Sequence, residues 1–229
     1  MINQYEFNRK KEFNFLKQFI NYTDLVFDIG ANKGDKTQIY LDLSARVVCF
    51  EPINDCAEYL KIRFQNNNKV KVVNKGLSNE IGTKDFYLCN QSNVISTFQE
   101  KWQEGRFNSY VWTKTIAQVT TLDSMIKEFG LPKFCKIDVE GYEYEVLKGL
   151  SKKVEYLSFE FAIEFIEDSK KCVEYLKTLG YKYFNFIIND DSEFKIKYWA
   201  SSGVLFHEIE KLALYDKMLW GDIWVYGKN

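Results

Sequence analysis

Asp28 is the first residue placed to do chemistry. It lies in an apolar run, Val26-Phe-Asp-Ile, and is followed by Gly30, Asn32 and Gly34 and by a helical pattern opening at Lys36 and Thr37. Glycines in such a turn let a ligand approach the backbone at the carboxyl end of a strand. A second apolar run, VVCFEP, ends in Glu51, whose carboxylate offers two acceptors to the two adjacent hydroxyls of a ribose. A third, Lys136-Ile-Asp-Val-Glu-Gly-Tyr-Glu143, sets Asp138, Glu140 and Glu143 around Gly141. Acidic residues at these strand ends share the crevice where open α/β sheets bind ligands. Glu143 also reads as a surface helix residue or as a charge complement to a helix N-terminus.

A dinucleotide site expects G-x-G-x-x-G, so that helix amides cradle a pyrophosphate. Here Asn32 stands at the second glycine, which argues against a nicotinamide-dependent dehydrogenase. Asp-x-Gly-x-x-x-Gly, acidic at its first position, suits a ligand with a cationic amino group, and S-adenosylmethionine is such a ligand. A glycine turn serving only strand-to-helix geometry is the alternative.

Removing a proton from an acceptor hydroxyl needs a base, and the candidates are His207, Asp138, Glu140, Glu160 and Glu164. His207 titrates near neutrality, although in GVLFHEIE it also reads as a packed side chain. A carboxylate facing the crevice gains basicity from partial burial, and Glu160 ends the strand expected beside Asp138. No metal is expected: His207 is the only histidine, no C-x-x-C pair exists, and Asp138 has no Asp-Asn partner on the next strand. The five cysteines, odd in number and scattered through apolar runs, read as reduced, buried thiols.

The elements that must position these residues alternate between strand and helix patterns, which predicts a doubly wound, mostly parallel sheet. Expected strands are Leu25–Ile29, Val47–Phe50, Val70–Val73, Phe134–Asp138, Tyr156–Glu160, Tyr181–Ile188 and Ile223–Tyr226. Expected helices fall near Lys36–Leu43, Asn54–Asn66, Leu122–Phe129, Tyr142–Gly149 and Ser169–Leu179. Residues 1–229 form a single domain in this reading, with three departures from the alternation. Residues 1–22 carry apolar positions at helical spacing, a helix packed on the sheet, a lid, or a homodimer contact. Residues 82–119 form a long insertion over the cleft, and residues 199–220 separate the last two strands; both are expected to serve the acceptor or to act as lids. Their aromatics Trp102, Phe107, Tyr110, Trp112 and Trp199 suit either core packing or the face of a sugar. Asn189-Asp190-Asp191 is expected to turn a hairpin between Phe186 and Tyr198.

The chain's 229 residues, 46% hydrophobic with a formal charge of −1, describe a globular protein without a global pull toward nucleic acid or anionic lipid. No membrane span is expected, and residues 1–11 lack the apolar stretch of a signal peptide, so a cytoplasmic location is expected. Nucleic-acid partners are not expected: neither proline has a proline neighbour, no Pro-Cys pair is present, and no arginine-rich face is evident.

FDIGANKG, FEP, GLSNEIGT, TLDSM and above all KIDVEGYEYEVLKGL, in this order over roughly residues 24 to 165, resemble the FkbM family of S-adenosylmethionine-dependent methyltransferases. The resemblance implies the seven-stranded class I methyltransferase sheet with its last strand antiparallel, GDIWVYGKN forming that strand. It implies that Asp28, Gly30, Asn32 and Gly34 surround the methionine part of the cofactor. Glu51 then holds the ribose, Pro52 and Ile53 flank the adenine, and Leu77 and Ser78 lie beside it. Asp138 and Glu140 sit near the reactive methyl, and Ser96 or Thr97 matches the small hydroxyl residue of the insertion. The implied activity is O-methylation, most often of sugar hydroxyls in a sugar nucleotide, a surface polysaccharide or a glycosylated metabolite. A lipid or polyketide-type hydroxyl is the alternative acceptor, and a non-catalytic nucleotide-binding scaffold the alternative from another class.

Overall fold

The computed structural model describes residues 4–104 and 107–227. Apolar residues run almost unbroken along β1 (Leu25–Ile29) and β2 (Arg46–Phe50), and successive side chains of a strand point to opposite faces. Leu25, Phe27, Ile29, Val48 and Phe50 therefore join one core, and Val26, Val47 and Cys49 join another. The strand–helix alternation continues through α2 (Asp35–Asp42), α3 (Asn54–Arg63), β3 (Val70–Val73), α4 (Leu122–Phe129), β7 (Phe134–Ile137), α5 (Glu143–Lys148), β8 (Tyr156–Ala162), α6 (Ile166–Thr178), β9 (Tyr183–Ile188), α7 (Ser202–Ala213) and β10 (Trp220–Tyr226). Helix α1 (Gln4–Leu16) precedes them, and β4 (Gly76–Leu77), β5 (Gly82–Cys89) and β6 (Trp112–Thr120) form a separate three-stranded sheet, ordered β4-β6-β5.

The main sheet runs β3-β2-β1-β7-β8-β10-β9, with β10 antiparallel to both neighbours and the other pairs parallel. The expected doubly wound sheet with an antiparallel last strand is what the chain forms. Helices α1–α3 cover one face and α4–α7 the other. The order reverses at β1/β7, so the carboxyl ends of these two strands open a crevice. Register sets what lies there: Asp28 pairs with Lys136 across β1/β7, and Glu160 with Asp222 across β8/β10. Burying a large side chain such as Phe27, Phe50 or Phe159 contributes about 1.5–3 kcal/mol each, enough to hold that register against a one-residue slip.

One of the three exceptional segments differs from expectation, and so does the turn at Asn189. Residues 199–220 are not a cleft segment: α7 buries Leu205, Ile209 and Ala213 in the core as an ordinary crossover helix, and Trp199 packs on Tyr156, Phe194 and Tyr226. The return from Asn189 does not make a hairpin strand. It hydrogen-bonds to β9 through Lys195 N–H to the Phe186 carbonyl and through the Asn185 amide to Ile196 and Tyr198. The insertion does cover the crevice, on the β5/β6 ladder, whose eight pairs run from Gly82↔Val119 to Cys89↔Trp112. Residues 1–3 of the N-terminal segment lie outside the described residues; α1 and the turn after it bury Phe15, Leu16, Phe19 and Ile20 against the sheet. No helix among the described residues is long and apolar enough to cross a membrane.

Candidate active site

The carboxyl ends of β1, β2 and β7 and the insertion enclose a cavity of about 320 Å³. Gly30 is where the strands come closest. Its φ is +81°, and a Cβ there would lie 1.8 Å from the Asp138 carbonyl oxygen, so only glycine lets the β1 turn pass β7. Asn32 follows at φ +47°, a left-handed conformation that Asn tolerates better than most residues. That conformation aims the Asn32 N–H at Glu51, at 2.8 Å, while the Ile53 N–H reaches the other carboxylate oxygen at 2.8 Å. Two amides thus fix the carboxylate in place, and each oxygen keeps a lone pair for a ligand hydroxyl.

Gly30, Asn32, Glu51, Pro52, Ile53, Leu77, Ser96, Asp138 and Glu140 all line this cavity. Five other expected site residues do not, and one of them, Glu160, lines a separate small cavity. Gly34 packs against Leu60 of α3 and Phe64 just after it. Ser78 is buried against the Tyr142 hydroxyl at 3.1 Å. Asp28 lies beneath the glycine turn, where its carboxylate accepts from Thr37 at 2.5 Å. His207 is exposed on α7, because the apolar face of that helix is turned inward at Leu205 and Ile209. The structure separates His207 from the cavity lining and brings Asp138, Glu140 and Glu160 together.

Those three carboxylates bring oxygens to within 4.8 Å of one another, a spacing at which a divalent cation could be held. The cation present beside Asp138 is a protein group, the buried Lys136 ammonium, 3.2 Å from Asp138 and 3.2 Å from Asp222. Burial opposes the Lys136 charge, but Asp138 and Asp222 outweigh it and hold the ammonium well above its ordinary value. Burial raises Asp28 to about 6, against the lowering effect of Thr37 and Lys136. Burial likewise lifts Glu51 to about 7, although the Ile53 and Asn32 amides pull it down. Burial, and then Glu140, Asp138 and Glu143, push the Glu160 carboxyl well above its ordinary value. Its Oε2 is buried with no hydrogen-bond partner, as is Trp102 Nε1, and both residues line one small cavity behind the cluster.

What several residues of the site do was not legible in the sequence. Thr97, fully buried, donates to the Glu140 carbonyl at 2.7 Å and pins the 138–141 turn, in which Glu140 adopts φ +56°. Glu143 is buried too; it accepts from the Val139 and Gly141 amides of that turn, so it is an anchor rather than a surface charge. Asn93, Val94 and Phe98 of the insertion wall the cavity, with Lys33 and Lys36 at its rim. Only the length of the insertion pointed to these. Of the aromatics expected to offer a sugar face, none lines the cavity; Trp102 packs on Gly141, Phe107 and Phe165.

Among known proteins, the chain is similar to the hexuronic acid methyltransferase AglP of Haloferax volcanii, at 30% identity over 144 residues, 59% of this chain and 54% of that one. It thus spans about half the length of that relative. Among solved structures, the precorrin-6y C5,15-methyltransferase of Geobacter metallireducens GS-15 has the same fold, with a TM-score of 0.51 at 10% identity, covering 100% of this chain and 90% of that one. Residues 28–183 match the methyltransferase FkbM domain, a span that takes in the glycine turn, Glu51, the insertion and the Asp138 turn, and the chain belongs to that family.

Proposed function

We propose that the protein is an S-adenosylmethionine-dependent O-methyltransferase acting on a hydroxyl of a carbohydrate. The observation that carries the reading is the Glu51 carboxylate, fixed by two backbone amides on one side of the cavity and faced by Asp138 and Glu140 on the other. A cavity of about 320 Å³ suits one nucleoside-sized ligand, and its surplus of acidic groups suits a cationic one. Glu51 accepts from the ribose hydroxyls, Pro52, Ile53 and Leu77 bound the adenine, and Gly30 and Asn32 admit the methionine part. Ser96 and the Asn93–Phe98 stretch close the cavity from above. Asp28 acts from beneath the glycine turn, as a buried negative charge toward the ligand's ammonium.

When bound, S-adenosylmethionine supplies a methyl on sulfonium sulfur, which passes to the acceptor oxygen as the carbon–sulfur bond breaks and its electron pair stays on sulfur. The chain must hold the acceptor hydroxyl in line and take its proton. Asp138 and Glu140 face the cavity for that task. Glu160 does not line the cavity and is set behind them, its carboxyl pushed up by burial and by its acidic neighbours. Clustered carboxylates favour a neutral hydroxyl over an anionic acceptor atom by like-charge repulsion. A saccharide acceptor is supported by the archaeal relative, described as a hexuronic acid methyltransferase.

The test is transfer of labelled methyl from S-adenosylmethionine to a panel of sugar nucleotides and free sugars, with lipid and polyketide hydroxyls for comparison. Labelled sugar ether as the product supports the reading. Methyl transfer confined to the apolar acceptors contradicts the carbohydrate part, and no transfer to any acceptor by protein that binds the cofactor contradicts the enzymatic part.

A further inference from the structure

Lys136 does not line the cavity, yet its charge is buried in the fold. It is a lysine in the middle strand region of the sheet, its side chain 8% exposed, on the same face as Asp28 of β1. Burying an ammonium costs several kcal/mol unless partners compensate. Two do: Asp138, two residues on along β7 and facing the cavity, and Asp222 of β10, which faces away from it. The side chain thus joins the cavity wall to the antiparallel strand on the far side of β8. Asp222 pairs in register with Glu160, so the same contact borders the carboxylate cluster.

The charged and titratable groups around Lys136 come from every neighbouring element. They are Asp28 on β1, Lys36 and Tyr40 on α2, Asp138 after β7, Glu160 on β8, Asp190 and Asp191 after β9, Asp222 on β10 and Glu12 on α1. Among them Asp138 and Asp222 alone lie in ion-pair contact with it. Asp138 has about a third of its side chain exposed, on the cavity side, so one oxygen is tied to Lys136 and the other is available there. Without the ammonium, Asp138 would be repelled by Glu140 and would have no directed partner.

Resting on the reading above, we propose that Lys136 is a positioning residue: its ion pair, braced by Asp222, aims the Asp138 carboxylate into the cavity and so makes Asp138 the group that takes the acceptor's proton. The acceptor's O–H bond then breaks toward the free Asp138 oxygen while the acceptor oxygen gains its methyl, leaving a neutral carboxyl beside the Lys136 ammonium. Lysine's reach from β7 is what places the charge there.

The test compares wild type with Lys136→Met, Lys136→Arg and the double variant Lys136→Met/Asp222→Leu. The last removes both ends of the β7–β10 link, so that Asp222 is not left as a buried charge without its partner. S-adenosylhomocysteine binding by calorimetry, crystal structures and steady-state kinetics are read together. The expected result for both methionine variants is a Kd for S-adenosylhomocysteine within about threefold of wild type and a kcat lower by about 100-fold, typical of losing a positioned proton acceptor. The acceptor KM stays nearly unchanged, and the Asp138 carboxylate is turned from the cavity in the crystal. Lys136→Arg recovers kcat to within about tenfold, since it restores a cation to the same partners. The proposal is overturned if the double variant folds and keeps wild-type kcat, if Asp138 keeps its orientation without the ammonium, or if wild-type turnover requires an added divalent cation, which would make a metal its partner. Wild type that binds no S-adenosylhomocysteine would instead remove the parent reading, an outcome distinct from these.

Discussion

Glu51 shows how far a single side chain can be argued. Its burial lifts the carboxyl to about 7, yet it must be ionised to accept two ribose hydroxyls at once. Below that value the free protein has to lose a proton before it can bind, so affinity for S-adenosylhomocysteine falls as the pH falls. We expect a Kd about tenfold weaker at pH 6 than at pH 8, with proton release that appears as a buffer-dependent binding enthalpy. An affinity that is flat across this range contradicts the role of Glu51. Glu51→Ala removes the acceptor altogether and is expected to weaken binding by about 10- to 100-fold, the worth of hydrogen bonds to a charged group. The glycine turn was legible because Asp28, Gly30, Asn32 and Gly34 recur at a spacing that chemistry explains. What each does was less so: Asn32 contributes a backbone N–H, and Gly34 serves packing against α3.

At the scale of elements, the strand patterns were readable because a parallel sheet buried on both faces leaves near-continuous apolar runs. Leu25–Ile29 and Val70–Val73 form as expected, and most of the other boundaries shift by one to three residues. Residues 82–119 were readable only as an insertion. Its β5/β6 ladder has an exposed face, with Ile116 on it, and alternation interrupted by polar residues, which hides the pairing. His207 misled because a lone histidine in an apolar helix pattern gives no sign of which face it occupies. The insertion is fastened at Trp102, which stacks where a Cβ on Gly141 would lie 2.6 Å from its ring. Trp102→Ala is expected to raise hydrogen exchange over residues 93–103 and to weaken S-adenosylhomocysteine binding, because Asn93, Val94 and Phe98 would lose their footing over the cavity. Unchanged exchange and affinity would show that the cover is held elsewhere. Gly30→Ala acts on the strands themselves and should lower the unfolding midpoint by about 10 °C or leave no folded protein, the scale of a severe core clash in a chain of this size.

Over the whole molecule, the site works against the fold's own stability. Asp28, Glu51 and Glu143 are held at about 6, 7 and 7, whereas the same carboxyls titrate near 4 in an unfolded chain. Between those values the folded protein binds more protons than the unfolded one. Its stability therefore falls as pH rises through about 4 to 7 and levels off above. The ligand-free protein should show a higher thermal midpoint at pH 5.5 than at pH 7.5, and saturating S-adenosylhomocysteine should narrow the difference by favouring ionised Glu51. A midpoint that climbs with pH across this window contradicts the burial of these charges.

The central claim is that this cavity holds S-adenosylmethionine, and calorimetric titration of the folded chain with S-adenosylhomocysteine tests it most directly, with Glu51→Ala as control and NAD as the competing ligand. The account predicts micromolar binding of S-adenosylhomocysteine, binding about 10- to 100-fold weaker in the variant, and no heat with NAD. Folded wild type that ignores S-adenosylhomocysteine, or that binds NAD in its place, would contradict it.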